Sequence, residues 1–246
     1  MTHSLIVGGT KGLGREVTKL LLDRGDNVSV ISRSGANKND DFFKKASCYE
    51  LDIEKIENIS ELVDEIYKNN GPINYLIFLQ RYRGNDDKWT GEIKVSLSAT
   101  KTFVDECLKY MNSEGDKALL ATSSVFSQFV GEGQEISYHV AKAALEQMMK
   151  FYAVEYGPKG IRSNSIIPFT FLKEESKKFY LENTELLQLY QDIIPLSRMG
   201  TTKDSAELIN FLCSSKASFI TGQNIMIDGG LSLNWPESMA RKMKGI

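Results

Sequence analysis

Tyr138 and Lys142 lie four residues apart in Ser137-Tyr138-His139-Val140-Ala141-Lys142-Ala143-Ala144, where a long amphipathic stretch begins. On a helix, residues four apart share a face, so the ammonium can lie beside the phenol. A free phenol titrates near ~10 and relays protons poorly at neutral pH. A neighbouring cation favours the phenolate and brings the group toward the working range of a general acid or base. An exposed pair at this spacing is usually inert, so the chemistry needs support from the rest of the chain.

That support begins near the N-terminus. Ser4-Leu5-Ile6-Val7 is a short apolar run that breaks into Gly8-Gly9-Thr10-Lys11-Gly12-Leu13-Gly14, and a helical pattern follows through Leu20, Leu21 and Leu22. A strand, a glycine-rich turn and a helix N-terminus in that order bind phosphate, since free amides and the helix dipole both point at the anion. The glycines at 8, 12 and 14 give Gly-x-x-x-Gly-x-Gly, which departs from the common Gly-x-Gly-x-x-Gly fingerprint. Past the second apolar run, an acid that accepts hydrogen bonds from ribose hydroxyls would select NAD. The chain instead reads Ser32-Arg33-Ser34, and the next acid is Asp40. Arg33 can fork onto a phosphate and Lys11 offers a second cation, which favours NADP(H) over the alternative of two ordinary surface cations.

The elements that must position these residues follow from hydrophobic patterning. Strand-length apolar runs occur at Ser4 to Val7, Asn27 to Ser32, Ala46 to Glu50, Tyr75 to Leu79, Lys117 to Thr122, Arg162 to Ile167 and Asn224 to Ile227. Helix-length stretches fill the gaps at Gly12 to Arg24, Glu54 to Asn69, Glu92 to Asn112, Ser137 to Tyr156 and Lys203 to Cys213. This alternation predicts an α/β fold, a doubly wound parallel sheet of seven strands flanked by helices, in one domain over residues 1–246. Residues 169–200 break the alternation with two charged helical stretches, and their place after a strand suits a helical lid better than a solvated excursion. A net charge of −2 without a basic stripe argues against nucleic acid and an anionic membrane surface. Three scattered cysteines argue against a disulfide framework and fit a cytoplasmic setting. The two histidines lack cysteine partners at ligand spacing, so no metal site is expected, and the N-terminal apolar run is too short for a signal peptide or membrane helix.

Together the glycine spacing, Tyr138-x-x-x-Lys142, an upstream serine and a length of 246 residues resemble the short-chain dehydrogenase/reductase family, in its single-domain form similar to 3-oxoacyl-carrier-protein reductases. Further landmarks in the family's order are Leu51-Asp52-Ile53, Ser123-Ser124-Val125, Gly160-Ile161-Arg162-Ser163-Asn164 leading to Pro168, and Ile220-Thr221-Gly222-Gln223 through Ile227-Asp228-Gly229-Gly230. The resemblance implies a Rossmann fold and interconversion of a ketone and a secondary alcohol with a small-molecule substrate. Tyr138 would be the proton donor or acceptor, Lys142 would lower its pKa and hold the nicotinamide ribose, and Ser124 would bind the carbonyl oxygen. Gly8, Thr10, Lys11, Gly12, Leu13, Gly14, Arg33, Asp52 and Ile53 would hold the cofactor. Asp52 would meet the adenine amino group, although capping the next helix is an equal alternative. A homotetramer or homodimer is also implied, with Ala144, Met148, Phe151 and Tyr152 on its interface or in the core.

The match fails in places. Ser124 stands fourteen residues before Tyr138, one more than usual, so Ser123 is a rival and an insertion among Gly131, Glu132 and Gly133 would explain the offset. Phe78-Leu79-Gln80-Arg81 replaces the family's Asn-Asn-Ala-Gly, Ser96 takes the place of the helix asparagine, and Phe169 follows Pro168 where glycine is usual. These changes surround the nicotinamide pocket and leave open a nucleotide-binding sensor or scaffold with weakened catalysis. Arg81 and Arg83, past the fourth strand, fit either an anionic substrate group or a solvated rim or subunit contact. An enoyl reductase is disfavoured because no tyrosine precedes Lys142 by seven residues. A sugar-nucleotide epimerase is disfavoured by the glycine spacing and the short C-terminal part.

Overall fold

The computed structural model describes residues 1–34, 41–172 and 174–246, so Asp40 lies outside the described residues. The first half of the chain gives β1 (His3–Val7), α1 (Gly12–Arg24), β2 (Asn27–Ser32), β3 (Ser47–Glu50), α2 (Ile59–Asn70), β4 (Tyr75–Phe78), α3 (Lys88–Glu92), α4 (Ala99–Leu108) and β5 (Lys117–Thr122). The second half gives α5 (Ile136–Tyr156), β6 (Ile161–Pro168), β7 (Phe171–Leu172), α6 (Glu174–Glu182), α7 (Thr184–Ile193), β8 (Gly200–Thr201), α8 (Thr202–Leu212), β9 (Asn224–Ile227) and α9 (Pro236–Lys244). Seven strands form one sheet in the order β3-β2-β1-β4-β5-β6-β9, and every pairing is parallel. The winding reverses between β1 and β4, which opens a crevice at their carboxyl ends where a doubly wound sheet binds ligands.

Because crossover helices cover both faces, the central strands are apolar throughout rather than alternating. All five residues of β1 and all eight of β6 are buried. Successive side chains point to opposite faces, so Leu5 and Val7 pack with Phe78, Phe103, Leu145 and Met149, while Ile6 packs with Val17, Leu21, Ile77 and Ile209.

Backbone contact decides the turn after β1. Gly8 adopts φ +93° and its amide donates to the Ile31 carbonyl at 2.8 Å. A methyl on Gly14 would fall 2.0 Å from the Gly8 carbonyl oxygen, so only hydrogen fits there. Thr18 Oγ1 lies 2.9 and 2.8 Å from the carbonyl oxygens of Gly9 and Gly14 and ties the turn to the helix.

Several boundaries differ from the sequence expectation. The helix expected from Glu92 to Asn112 is instead α3, a π-helical turn at Ile93–Ser98, and α4. A 3₁₀ turn at Ile56–Asn58 precedes α2, because Asp52 Oδ1 accepts the Glu54 amide at 3.2 Å and closes a local turn first. Asp52 therefore does not cap α2, whose N-cap is Asn58. On α5, Tyr152 is core at 5% exposure, whereas Phe151 is 59% exposed. The helix α9 and the two-stranded β7-β8 pair have no counterpart in the sequence expectation. Among the described residues no helix is long and apolar enough to cross a membrane.

Gly14→Ala is expected to lower stability by about 1–3 kcal/mol, since the methyl must push Gly8 or the helix start aside. Urea denaturation followed by circular dichroism measures this, and an unchanged midpoint would contradict the packing described.

Candidate active site

The stripe that α5 buries runs through Ser137, Ala141, Lys142, Leu145, Glu146, Met149, Tyr152 and Ala153. Helical spacing explains the stripe, but two of its members are charged, and a charge is kept inside only where something answers it. Lys142 is 3% exposed, and its Nζ donates to the Thr122 carbonyl at the end of β5, 2.8 Å away. That bond seats the helix on the carboxyl edge of the sheet. Burial pushes the Lys142 pKa down to about 8, with Arg81 lowering it further and Glu92 and Glu146 opposing. One turn earlier, the Tyr138 ring lies with its centroid 5.6 Å from Lys142 Nζ and 5.4 Å from Arg81 Cζ. Burial raises the Tyr138 pKa, against the lowering expected from Lys142, while the Ser124 hydroxyl and the Arg81 charge draw it back.

The two serines part company. Ser123 donates to Glu146 Oε1 at 2.6 Å, and Glu146 Oε2 accepts from Asn224 at 3.1 Å, so Ser123 belongs to a buried network joining β5, α5 and β9. Ser124 opens the turn Val125–Ser127 with its Oγ accepting the Phe126 amide at 3.3 Å, and it sits beside Tyr138. The Phe126 ring packs edge-on against Tyr138 and also meets His139. Gly131 lies over Phe126, where a methyl would fall 2.0 Å from the ring, so the loop at Gly131 folds onto the ring that packs against Tyr138.

Gln80 takes over where the asparagine run is missing. A π-turn leaves backbone carbonyls without their usual partners, and Gln80 Nε2 donates to the Val95 carbonyl at 3.3 Å and to Thr100 Oγ1 at 2.9 Å. Thr100 Oγ1 in turn donates to the Ser96 carbonyl at 2.9 Å. Ser96 Oγ donates to Glu92 Oε2 at 3.2 Å, and Glu92 is 6% exposed. Sequence reasoning missed Glu92. Its signal was a carboxylate in register with the buried positions Val95, Ala99 and Phe103.

A cleft of about 620 Å³ runs over Lys11, Gly12, Leu13 and Gly14 to Ser124, Tyr138 and Lys142. An adjoining hollow of about 220 Å³ is lined by Gly8, Thr10, Lys11, Arg33, Asp52 and Ile53. The expected cofactor residues thus share one groove. A dinucleotide fits it on three observations. The turn is stripped of Cβ atoms at Gly8 and Gly14, α1 has no acid in its first turn and no side-chain cap, and the buried Ser32 hydroxyl has no hydrogen-bond partner. Arg81 and Arg83 line the groove but are exposed, which removes the argument that burial alone demands an anion beside them. From residues 169–200, Phe169, Phe171 and Tyr180 line the opposite wall. Phe169 stacks edge-on against Tyr190 at 5.9 Å, and Tyr190 meets Tyr180 at 6.0 Å, so the phenylalanine that replaced glycine anchors α6 and α7.

Fold and groove together define a nicotinamide-dependent oxidoreductase class. A family model described as enoyl-(acyl carrier protein) reductase matches residues 7–232. The chain is 30% identical over 247 residues to the 3-oxoacyl-(acyl-carrier-protein) reductase FabG of Aquifex aeolicus, covering 93% of this chain and 96% of that one. It is 25% identical over 245 residues to glucose 1-dehydrogenase 2 of Bacillus subtilis, covering 94% of each. The solved structure of Cj0485 dehydrogenase superposes with a TM-score of 0.82 at 27% identity, over 95% of this chain and 97% of that one. The chain belongs to the short-chain dehydrogenase/reductase family. It is an oxidoreductase of that family.

A lysine whose folded pKa is depressed makes the protein more stable as pH rises past that value, because the unfolded chain still holds the proton. Stability is therefore expected to gain on the order of 3 kcal/mol from Lys142 between about pH 8 and its ordinary 10.5. The difference in unfolding free energy between the unmodified protein and Lys142→Met, followed across that window, isolates the contribution.

Proposed function

We propose that this chain, as a single domain over residues 1–246, is an NADP(H)-dependent enzyme that interconverts a ketone and a secondary alcohol. The observation that carries this reading is the convergence of Ser124, Tyr138 and Lys142 on a groove whose far end holds Lys11 and Arg33 and, at the end of β2, no acid in Ser32-Arg33-Ser34. Bound in this groove, NADPH supplies a hydride for a carbonyl carbon. Gly8, Thr10, Gly12, Leu13 and Gly14 admit the pyrophosphate, Lys11 and Arg33 meet the 2′-phosphate, and Asp52 and Ile53 flank the adenine. Ser124 holds the carbonyl oxygen as negative charge develops there. Tyr138 gives its phenolic proton to that oxygen in reduction and takes it back in oxidation. Lys142 holds the ribose and stabilises the phenolate that remains. Ser123 is set aside for this role because its hydroxyl is already bonded to Glu146.

Keto rather than enoyl chemistry is favoured because Glu135, not a tyrosine, precedes Lys142 by seven residues. FabG is a 3-oxoacyl reductase by name, which agrees with a carbonyl substrate. Arg81, exposed at the groove rim with its guanidinium over Tyr138, and Arg83 suit a substrate carrying a carboxylate or phosphate. The segment α6–α7 covers the substrate as a lid. We infer a homodimer or homotetramer, supported by Phe151 and Val154 on α5, 59% and 80% exposed. A cytoplasmic setting is supported by three free cysteines, of which Cys107 and Cys213 are buried.

Tyr138→Phe is expected to cut turnover by about 10²–10⁴-fold with NADPH affinity nearly unchanged, because only the transferable proton is lost. Stopped-flow and fluorescence titration separate the two quantities, and near-normal turnover would end the proposal. Arg33→Asp is expected to weaken NADPH by roughly ten- to a hundredfold and to leave NADH binding intact or improved. Equal dissociation constants for both cofactors in the unmodified protein would refute the assigned preference.

A further inference from the structure

Two cations stand against one aromatic ring of the cleft, Arg81 exposed at the rim and Lys142 buried. Arg81 Cζ and Lys142 Nζ stand 5.4 and 5.6 Å from the Tyr138 centroid, and Lys142 is 3% exposed. An ammonium held out of water beside a second cation sheds its proton unless carboxylates answer it. Two carboxylates act on Lys142. Glu146 is bonded to Ser123 and Asn224 within the network that ties β5 to β9. Glu92 stands apart from that network, on the α3 and π-turn segment that packs against α5, the helix carrying Lys142. It closes α3 at 6% exposure, and the π-turn that follows brings Ser96 Oγ to 3.2 Å from its Oε2.

We propose that Glu92 is a positioning residue of the reaction, the buried counter-charge that lets Lys142 stand as a cation beside Arg81 and the Tyr138 ring. Ser96 holds the carboxylate in place through its hydroxyl, while its carbonyl is bound by Thr100. The inference rests on Tyr138 and Lys142 being the reacting pair. The electrostatics agree in both directions. Burial pushes the Glu92 carboxyl up while Lys142, then Ser96 and Arg81, hold it down. For Lys142, burial is the largest influence, and Glu92 comes next, opposing it. The charged and titratable groups acting on Lys142 are Glu92 from α3, Arg81 from the segment after β4, and Glu146 and Tyr138 from α5. Tyr82, packed against Gly91, also feels Glu92. Neutralising Glu92 removes a charge that raises Lys142 and also raises Tyr138, so both groups should titrate at lower pH.

The decisive measurement needs no substrate. In protein carrying lysine labelled with ¹³C at the ε position, the Lys142 resonance is assigned by its loss in Lys142→Arg and followed against pH. In Glu92→Gln its midpoint is expected to fall by on the order of one pH unit, and in Ser96→Ala by less in the same direction. An unmoved midpoint in Glu92→Gln overturns the proposal. Should Glu92→Gln fail to fold, Ser96→Ala decides, and an unmoved midpoint there overturns it equally. With a ketone substrate in hand, the alkaline limb of kcat/KM for reduction moves to lower pH in Glu92→Gln. Failure of the oxidoreductase reading would look different, as turnover surviving Tyr138→Phe.

Discussion

The hydrogen bond from Lys142 Nζ to the Thr122 carbonyl joins the chemistry to the architecture. It docks a long helix on the end of a central strand through a charged group, where apolar packing alone would have sufficed. The cost of that choice is visible in the pKa of the ammonium, which burial lowers to about 8. Arg81 adds to that cost, and other neighbours offset it. Thr122 supplies an acceptor, Glu92 and Glu146 supply charge, and the sheet order supplies the crevice into which the helix face opens. A helix seated by apolar packing alone would place leucine at such a position, and the buried charge singles the position out.

The departures from the family pattern are absorbed by local rebuilding. Gln80 spans from just past β4 to the π-turn and α4, where it holds the Val95 carbonyl and the Thr100 hydroxyl, Thr100 relays that contact to Ser96, and Ser96 reaches Glu92. Phe169, in place of glycine, becomes the anchor of an aromatic cluster that fastens α6 and α7 beside the cleft. A connected polar chain thus runs from Gln80 to Glu92, with the buried Gln80 Oε1 left without a hydrogen-bond partner.

Much of the fold was legible in the residues. The glycine turn, the alternating apolar runs and the Tyr138 and Lys142 pair gave all seven sheet strands to within a residue at each end and identified the helix that carries the pair, because each depends on local periodicity or on a residue type with one physical use. Less legible were the broken helix between Lys88 and Leu108, the late start of α2 and the helix α9. A π-turn forms where tertiary partners such as Gln80 satisfy its carbonyls, and those partners lie at a distance in sequence.

Sequence alone determined the class of chemistry, since a tyrosine four before a lysine, a serine upstream and a glycine-stripped turn specify what atoms are available. Tertiary structure decided which atoms meet. It turned Ser123 toward Glu146 and left Ser124 beside Tyr138, a difference of one residue at a strand end that no spacing rule resolves. It also made Arg81 and Lys142 neighbours of a single ring and buried Glu92 in the segment that packs against the helix carrying Lys142. The reason is that charge interactions depend on distance and burial, and both are properties of the packed chain rather than of residue order.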